Sequence, residues 1–209
     1  MTKFTVPGPQ LRQALQTASA FMSADDTLPT LAGVHLAPVG DLVSFTATNR
    51  FIASYETLKT EGDPFTTTIP ARVVTSLIAV LAPIDVDDPW DDDGQLIKPF
   101  EPFDLATLTL ANEGNVTVRL VGHETVEITF VPPSMKFPDI PRIFEQAEAH
   151  TGEPLDGLCF TPAMLAAVAD AVRQREDGLL QVVTAAKGKP MVVRQGDNFK
   201  ALIMSVKVP

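Results

Sequence analysis

The chain has 209 residues, 45% of them hydrophobic, and a formal net charge of -10 at pH 7. This length and apolar fraction predict a folded protein with a core of its own. The negative charge argues against a protein that adheres to nucleic acid by bulk charge, although a local basic face stays open. The sequence has no stretch of about 18 apolar residues and no secretion leader, so we expect a cytoplasmic protein. A single cysteine, Cys159, excludes an internal disulfide.

Three apolar-periodic segments, each with proline at or near its start, predict three helices. Proline fits the first turn of a helix because the N–H that it lacks would be unpaired there anyway. In each segment the apolar residues recur on one stripe, so each predicted helix has one face to bury. The segments are VPGPQLRQALQTASAF, IPARVVTSLIAVLAP and FTPAMLAAVADAVRQREDG.

Strand-like runs separated by turn residues follow each predicted helix. A helix and about three strands therefore recur three times, and a short strand-like run (KFTV, FTTTI or GLCF) precedes each helix. This pattern predicts an α+β fold, in which short helices pack on antiparallel strands. The runs are LAGVHLAP, LVSFTAT and FIASYETL; ATLTLA, NVTVRLV and TVEITFV; and LLQVVTA, KPMVVR and FKALIMSVKV.

Two segments stand apart from this pattern. KFPDIPRIF, residues Lys136 to Phe144, contains two prolines three residues apart and is predicted to be extended and irregular. DVDDPWDDDG, residues Asp85 to Gly94, could be a metal loop, an acidic docking patch or a solvated insertion. Its spacing matches no calcium loop, which favours the solvated insertion.

Several phrases, in order along the chain, resemble the bacterial sliding clamp, the beta subunit of DNA polymerase III. TLPTLAGVHL followed by SFTATNRFIASYE is similar to a clamp phrase of the form LPxLxGVxL with its TATD or TATN turn. TIPARVVTSLIAVL is similar to the second clamp helix, and KFPDIPRIF resembles the FPDYRRVLP linker between clamp domains. KPMVVRQGDNFKALIMSVKVP resembles the end of a clamp chain.

The resemblance implies a DNA clamp fold built from repeated helix-plus-sheet units. A clamp domain holds two units and a family chain three domains, whereas this chain has three units in all. We therefore expect one complete clamp-like domain at residues 1–135, a connector at 136–157 and half a domain at 158–209. Such a chain cannot close a ring as the standard dimer does, so either more chains assemble, most simply about four, or no ring forms. A bacteriophage is one source we expect for a shortened clamp, although nothing in the sequence fixes it.

The resemblance also implies two sites. A groove for short partner peptides would be lined by the TATN turn, the connector and the last strand; without the resemblance, the same residues would simply pack one domain on the next. Helix arginines would face the phosphates of duplex DNA, although they could equally be ordinary solvated side chains. The groove residues are Thr48, Arg50, Phe51, Pro138, Arg142, Ile143, Met204, Ser205, Val206 and Lys207, and the DNA-facing residues are Arg12, Arg72, Arg173 and Arg175.

The sequence argues against an enzyme, because His35, His123 and His150 lie in no metal or triad motif. We expect neither a metal nor an organic cofactor. The leading hypothesis is a homo-oligomeric processivity factor that encircles duplex DNA and tethers a polymerase and other clamp-binding proteins. The alternative is a truncated clamp-like protein that binds a clamp or its partners and modulates replication without sliding on DNA. A third reading, an α+β scaffold of no inferable purpose, stays open.

Overall fold

The structure is a computed structural model that describes residues 2–25, 27–84, 101–111, 114–149, 160–173, 175, 179–184 and 189–205. The segment Asp85 to Gly94 lies outside these residues, as do Cys159 and His150. None of the described helices has the length and apolar character needed to cross a membrane.

Four helices and twelve strands occur in the described residues, and they form an α+β fold. The three helices expected from the sequence are α1 (Gly8–Ser19), α2 (Ala71–Val80) and α4 (Pro162–Arg173), which confirms them; α3 (Ile140–Glu148) is additional. The nine expected strands following these helices are confirmed as well, the last of them as far as Ile203. Of the expected strand-like run GLCF, residues 157–159 lie outside the described residues. The strands are β1 (Thr2–Pro7), β2 (Gly33–Val39), β3 (Leu42–Thr48), β4 (Ile52–Lys59), β5 (Glu61–Gly62), β6 (Thr67–Pro70), β7 (Phe103–Leu110), β8 (Val116–Gly122), β9 (Thr125–Phe130), β10 (Gln181–Thr184), β11 (Met191–Gln195) and β12 (Phe199–Ile203).

The strands form two antiparallel sheets, ordered β5-β1-β7-β8-β9 and β10-β11-β12-β4-β3-β2-β6. We call α1 with β2–β4 the first unit, α2 with β7–β9 the second unit, and α4 with β10–β12 the third unit. The first two units exchange strands: β1, which precedes α1, pairs with β7, and β6, which precedes α2, pairs with β2. The third unit instead joins the first, because β12 pairs with β4 and makes one continuous sheet.

The two faces of the seven-stranded sheet pack against different helices. On one face, Ile52 and Leu58 of β4 belong to a large core that also contains buried residues of α1, α2 and α4. On the other face, Ala53 and Tyr55 join a smaller cluster with α3. This follows from the alternation of side chains along a strand. The helices of all three units therefore lie on one face, and α3 lies on the opposite face.

The prediction that Lys136 to Phe144 is extended throughout is wrong from Ile140 onward, where α3 begins. Asp139 is the N-cap residue, and its Oδ1 accepts a hydrogen bond from the backbone N–H of Arg142 at 3.2 Å. Pro141 lies in the first turn, where a helix needs no N–H donor. Pro141 is therefore compatible with this helix, and Pro138 lies before its N-cap.

Candidate partner-binding and DNA-facing surfaces

The turn between β3 and β4 is held by its own side chains. The Oδ1 of Asn49 accepts hydrogen bonds from the backbone N–H groups of Phe51 and Ile52, both at 3.0 Å. The hydroxyl of the buried Thr48 donates to the carbonyl of Ile52 at 2.8 Å and accepts from the N–H of Arg50 at 3.1 Å. Arg50 has a φ of 79°, which is uncommon for a residue other than glycine. This turn holds Phe51 outward with 57% of its surface exposed.

The end of β12 lies directly beside this turn. Ile203 pairs with Ile52, and the N–H of Met204 donates to the carbonyl of Phe51 at 2.9 Å. Met204 is 40% exposed and Ser205 is half-buried. The structure therefore brings together two of the three segments that the sequence assigned to the groove. Val206 and Lys207, from the same assignment, lie outside the described residues.

The connector is the third segment assigned to the groove. Its buried residues Phe137, Ile140 and Phe144 pack with Ala53 and Leu202, which lie two residues after Phe51 and two residues before Met204. Pro138, Arg142 and Ile143 are exposed. The connector therefore packs on the strand pair close to Phe51 and Met204, and the three residues assigned to the groove are among its exposed residues.

The C-terminal end of α3 is fixed to the third unit by a carboxylate shared between two cations. Glu148 accepts hydrogen bonds from Arg194 at 2.9 Å and from Lys200 at 3.2 Å. Partial burial raises the pKa of Glu148, but these two partners outweigh it and hold the pKa below its usual value. The ammonium of Lys200 also lies 4.7 Å from the ring centroid of Phe144. Helix α3 is thus attached to the sheet near both of its ends.

A cavity of about 420 Å³ lies between the β3–β4 turn, which carries Phe51, and helix α4 of the third unit. The sequence analysis did not assign its α4 part to any site. Ala163 and Ala167 of α4 are four residues apart and therefore lie on one face of the helix. This spacing is a weak sequence signal for a surface of small residues. The cavity is lined by Asn49, Phe51, Ile52, Ala20, Thr161, Ala163, Met164 and Ala167.

Three of the four arginines assigned to a DNA-facing surface reach solvent, but two of them have acidic neighbours. Arg12 lies 3.7 Å from Glu101, and Arg173 lies 2.9 Å from Asp170. Arg72, in the first turn of α2, is exposed. A carboxylate beside an arginine reduces the positive potential that would attract phosphate. The described helices therefore offer a sparse basic surface.

The prediction that Arg175 faces DNA is wrong, because its side chain is only 5% exposed. Its guanidinium donates to the buried Glu56 of β4 at 2.5 Å and to Asn198 at 2.8 Å, and it lies 5.0 Å from the ring centroid of Phe199. Charges buried in a protein are paired in this way because desolvation is costly. Arg175 joins the end of α4 to the first unit.

His35 has a packing role in the described structure. Its ring stacks on Phe137 at a centroid distance of 4.4 Å, and Nδ1 lies 3.0 Å from the hydroxyl of Thr68. Burial lowers the pKa of His35 to about 4, so the ring is neutral near pH 7. In the described part of the chain, no three side chains of His, Cys, Asp or Glu are grouped as metal ligands would be.

Residues 2–117 match the family model of the DNA polymerase III beta subunit, N-terminal domain. This match covers more than half of the chain, and it confirms the resemblance read from the sequence. A search of curated proteins found no match.

Three solved structures of bacterial clamps have the same fold. The DNA polymerase III beta subunit of Thermotoga maritima is 11% identical with a TM-score of 0.70, and the match covers 100% of this chain and 66% of that one. The sliding clamp of Pseudomonas aeruginosa is 13% identical with a TM-score of 0.69, covering 99% and 67%. The sliding clamp of Bacillus subtilis is 14% identical with a TM-score of 0.70, covering 99% and 64%. This chain spans about two thirds of the length of these proteins.

Proposed function

Because the chain belongs to the DNA polymerase III beta subunit family, we propose that it is a non-catalytic processivity factor of DNA replication. Several copies would encircle duplex DNA and hold a polymerase through a groove for short peptides. The observation that carries this proposal is the continuous sheet from the third unit to the first, with α1, α2 and α4 together on one face. Repetition of that arrangement around a closed assembly would direct the helices towards a central hole.

The number of units supports an assembly of more than two chains. We propose that residues 1–135 form one clamp domain, that 136–157 connect it to the remainder, and that 158–209 form half a domain. Three units are half of the six that a family chain is expected to hold, so two chains would leave a ring incomplete. About four copies would supply the missing units.

The retention on DNA that we propose is topological. Arg72 is exposed on α2, Arg173 lies beside Asp170, and Arg12 lies beside Glu101. Few phosphate contacts give weak binding with a shallow dependence on salt. A closed ring needs no strong contact to stay on DNA, which is how a chain of net charge -10 could serve it.

The proposed groove would take an extended peptide with apolar anchors. Phe51 and Met204 give it an exposed aromatic ring and an adaptable thioether, and Ile143 adds apolar surface on the connector. Arg142 is an exposed cation that would favour an acidic partner segment, and Arg50, also exposed, lies 3.9 Å from Asp25, which reduces its contribution. Thr48 supports the turn, and Pro138, Ser205, Val206 and Lys207 complete the proposed lining.

Replacing Met204 or Ile143 by aspartate should weaken binding of a clamp-binding peptide about tenfold or more, since a charge in an apolar contact is costly to desolvate. Both side chains are about 40% exposed, so unfolding free energies should change by less than about 1 kcal/mol. Peptide titration by fluorescence anisotropy measures the first effect and urea unfolding the second. Val39→Asp, at an equally exposed valine, is the matched control. Unchanged affinity in folded M204D and I143D would remove the groove assignment.

The proposed function is tested by primer extension on a long template with the replicative polymerase of the same organism. The protein should lengthen the products synthesised in one binding event. A protein that neither self-associates nor lengthens these products would contradict the proposal.

The presence of three units also favours a second candidate function. As a truncated clamp-like protein, the chain would bind a full-length clamp or its partners and modulate replication without sliding. A tight complex with a full-length clamp, together with no retention on DNA, would favour this candidate over the processivity factor.

A further inference from the structure

The first and third units are arranged symmetrically about the β12–β4 junction. In the ranges that the structure describes, only the first unit has its outer strand covered by a strand that leads into another unit. The seven strands run β10-β11-β12 on one side of the junction and β4-β3-β2-β6 on the other. Thus β10 holds the position in the third unit that β2 holds in the first. The second unit covers β2 with β6. Within the described residues, β10 pairs only with β11.

The residues at this open edge are apolar. Leu179 is 89% exposed and Val182 is 56% exposed, whereas Val34 and Leu36 on β2 are fully buried. Leu180 and Val183 are also exposed. Residues 179–184, LLQVVT, contain no charge and no proline, the residues with which natural sheets usually protect an edge. The β10–β11 pairing has a register shift between Val182 and Thr184, and in the described part of the chain no strand lies on the other side of β10.

Helix α4 is less buried than its counterpart in the first unit. Both helices have 12 residues, and α1 packs against α2 as well as against α4. Six residues of α1 are buried, but only Met164, Val168 and Ala171 of α4 are. Leu165 of α4 is 47% exposed. Among the described residues, the third unit therefore has no strand in the position of β6, and its helix buries fewer residues than α1.

We propose that two copies of this chain associate across a two-fold axis, with β10 of one copy pairing with β10 of the other. A second copy is the occupant that fits best, because β10 is uncharged and two identical edges present no repulsive pair. The other outer strands are less suitable partners: β5 has two residues, one of them Glu61, β6 has four residues and ends in Pro70, and β9 exposes Thr125, Glu127 and Thr129. The contact is isologous and by itself joins two copies; a ring of about four would need a second, different contact. It needs neither DNA nor a partner peptide, so it does not rest on the proposed function.

Val182→Lys should abolish this association, because a lysine would be forced into a strand contact with its own symmetry mate. Val39→Lys is the matched control, since Val39 is an exposed strand valine at the end of β2. The first readout is the mass of the free protein by light scattering over a wide concentration range. The second is amide hydrogen exchange of residues 179–184. In the wild type and V39K, the measured mass should rise and amide exchange should slow as protein concentration rises. V182K should keep half the mass of the associated wild type, and its amides should exchange fast at every concentration.

A mixing experiment separates a two-fold contact from a head-to-tail one. Isotope-labelled wild type is held dilute and titrated with unlabelled V182K, and exchange of the labelled β10 amides is followed. In the two-fold contact V182K gives no protection, because its own β10 is the required surface. Protection by V182K would mean that β10 binds a different surface and would overturn the proposal. A wild type that stays monomeric, or a V182K protein that associates as the wild type does, would also overturn it.

Discussion

Replacing Arg175 by alanine should lower the free energy of unfolding by about 3–5 kcal/mol, the usual cost of leaving one partner of a buried ion pair alone. The side chains of Arg175 and Glu56 are 5% and 3% exposed, so water cannot take the place of the guanidinium. The variant also loses the hydrogen bond to Asn198 and the contact with the ring of Phe199. Because this pair joins α4 to β4, the third unit should loosen first.

Urea unfolding at several pH values measures this effect, with Arg173→Ala as the control. Arg173 is 76% exposed and bonded to Asp170, so its loss should cost less than about 1 kcal/mol. Equal effects of the two substitutions would contradict the importance of the buried pair.

The pH dependence of R175A has a definite sign. Burial raises the pKa of Glu56, and the charge and hydrogen bond of Arg175 oppose this shift. When folding raises the pKa of a carboxyl, the folded state is least destabilised while that carboxyl is protonated. The destabilisation is therefore absent below the unfolded pKa and develops as pH rises through the folded pKa. Removing Arg175 should raise the folded pKa further. The stability difference between wild type and R175A should therefore shrink as pH falls; a gap that widens towards acid would contradict this account.

Replacing Phe144 by alanine should cost about 3–5 kcal/mol, because it leaves a cavity between α3 and the sheet. Phe144 is fully buried, its ring centroid lies 6.0 Å from that of Tyr55, and Lys200 lies over its face. Thermal unfolding and hydrogen exchange of α3 measure the result. The exchange of α3 amides should accelerate more than that of β3.

Ile143→Ala is the control for this substitution, since Ile143 is the preceding residue of the same helix and is 39% exposed. It should cost less than about 1 kcal/mol. If F144A and I143A destabilise the protein equally, the buried face of α3 has been assigned wrongly.

The helices and strands were largely predictable because apolar periodicity and proline positions are local signals. Gly8–Ser19 and Pro162–Arg173 each follow a proline or begin with one, and the strand runs are separated by turn residues. The resemblance to clamps also implies that the TATN turn and the last strand share one site, and the hydrogen bond from Met204 to Phe51 shows that these two segments are neighbours.

Two features could not be read from local signals. The helix at Ile140–Glu148 depends on Asp139 as a cap and on burial of Phe144 against Tyr55, a residue that is distant in sequence. The burial of Arg175 depends on Glu56, 119 residues away. A lone arginine near a helix end has the same sequence pattern whether it faces solvent or a buried carboxylate, so its role is fixed only by tertiary contacts.

The most direct test of a DNA-encircling clamp is retention on circular DNA. The protein, loaded on nicked circular duplex with any loading factors of its source, is passed through a sizing column in high salt before and after one cut linearises the circle. We expect co-elution with the circle and release after linearisation, because a ring slides off a free end while salt screens the few arginine contacts. Equal release from both forms, or no retention on the circle, would contradict the encircling account.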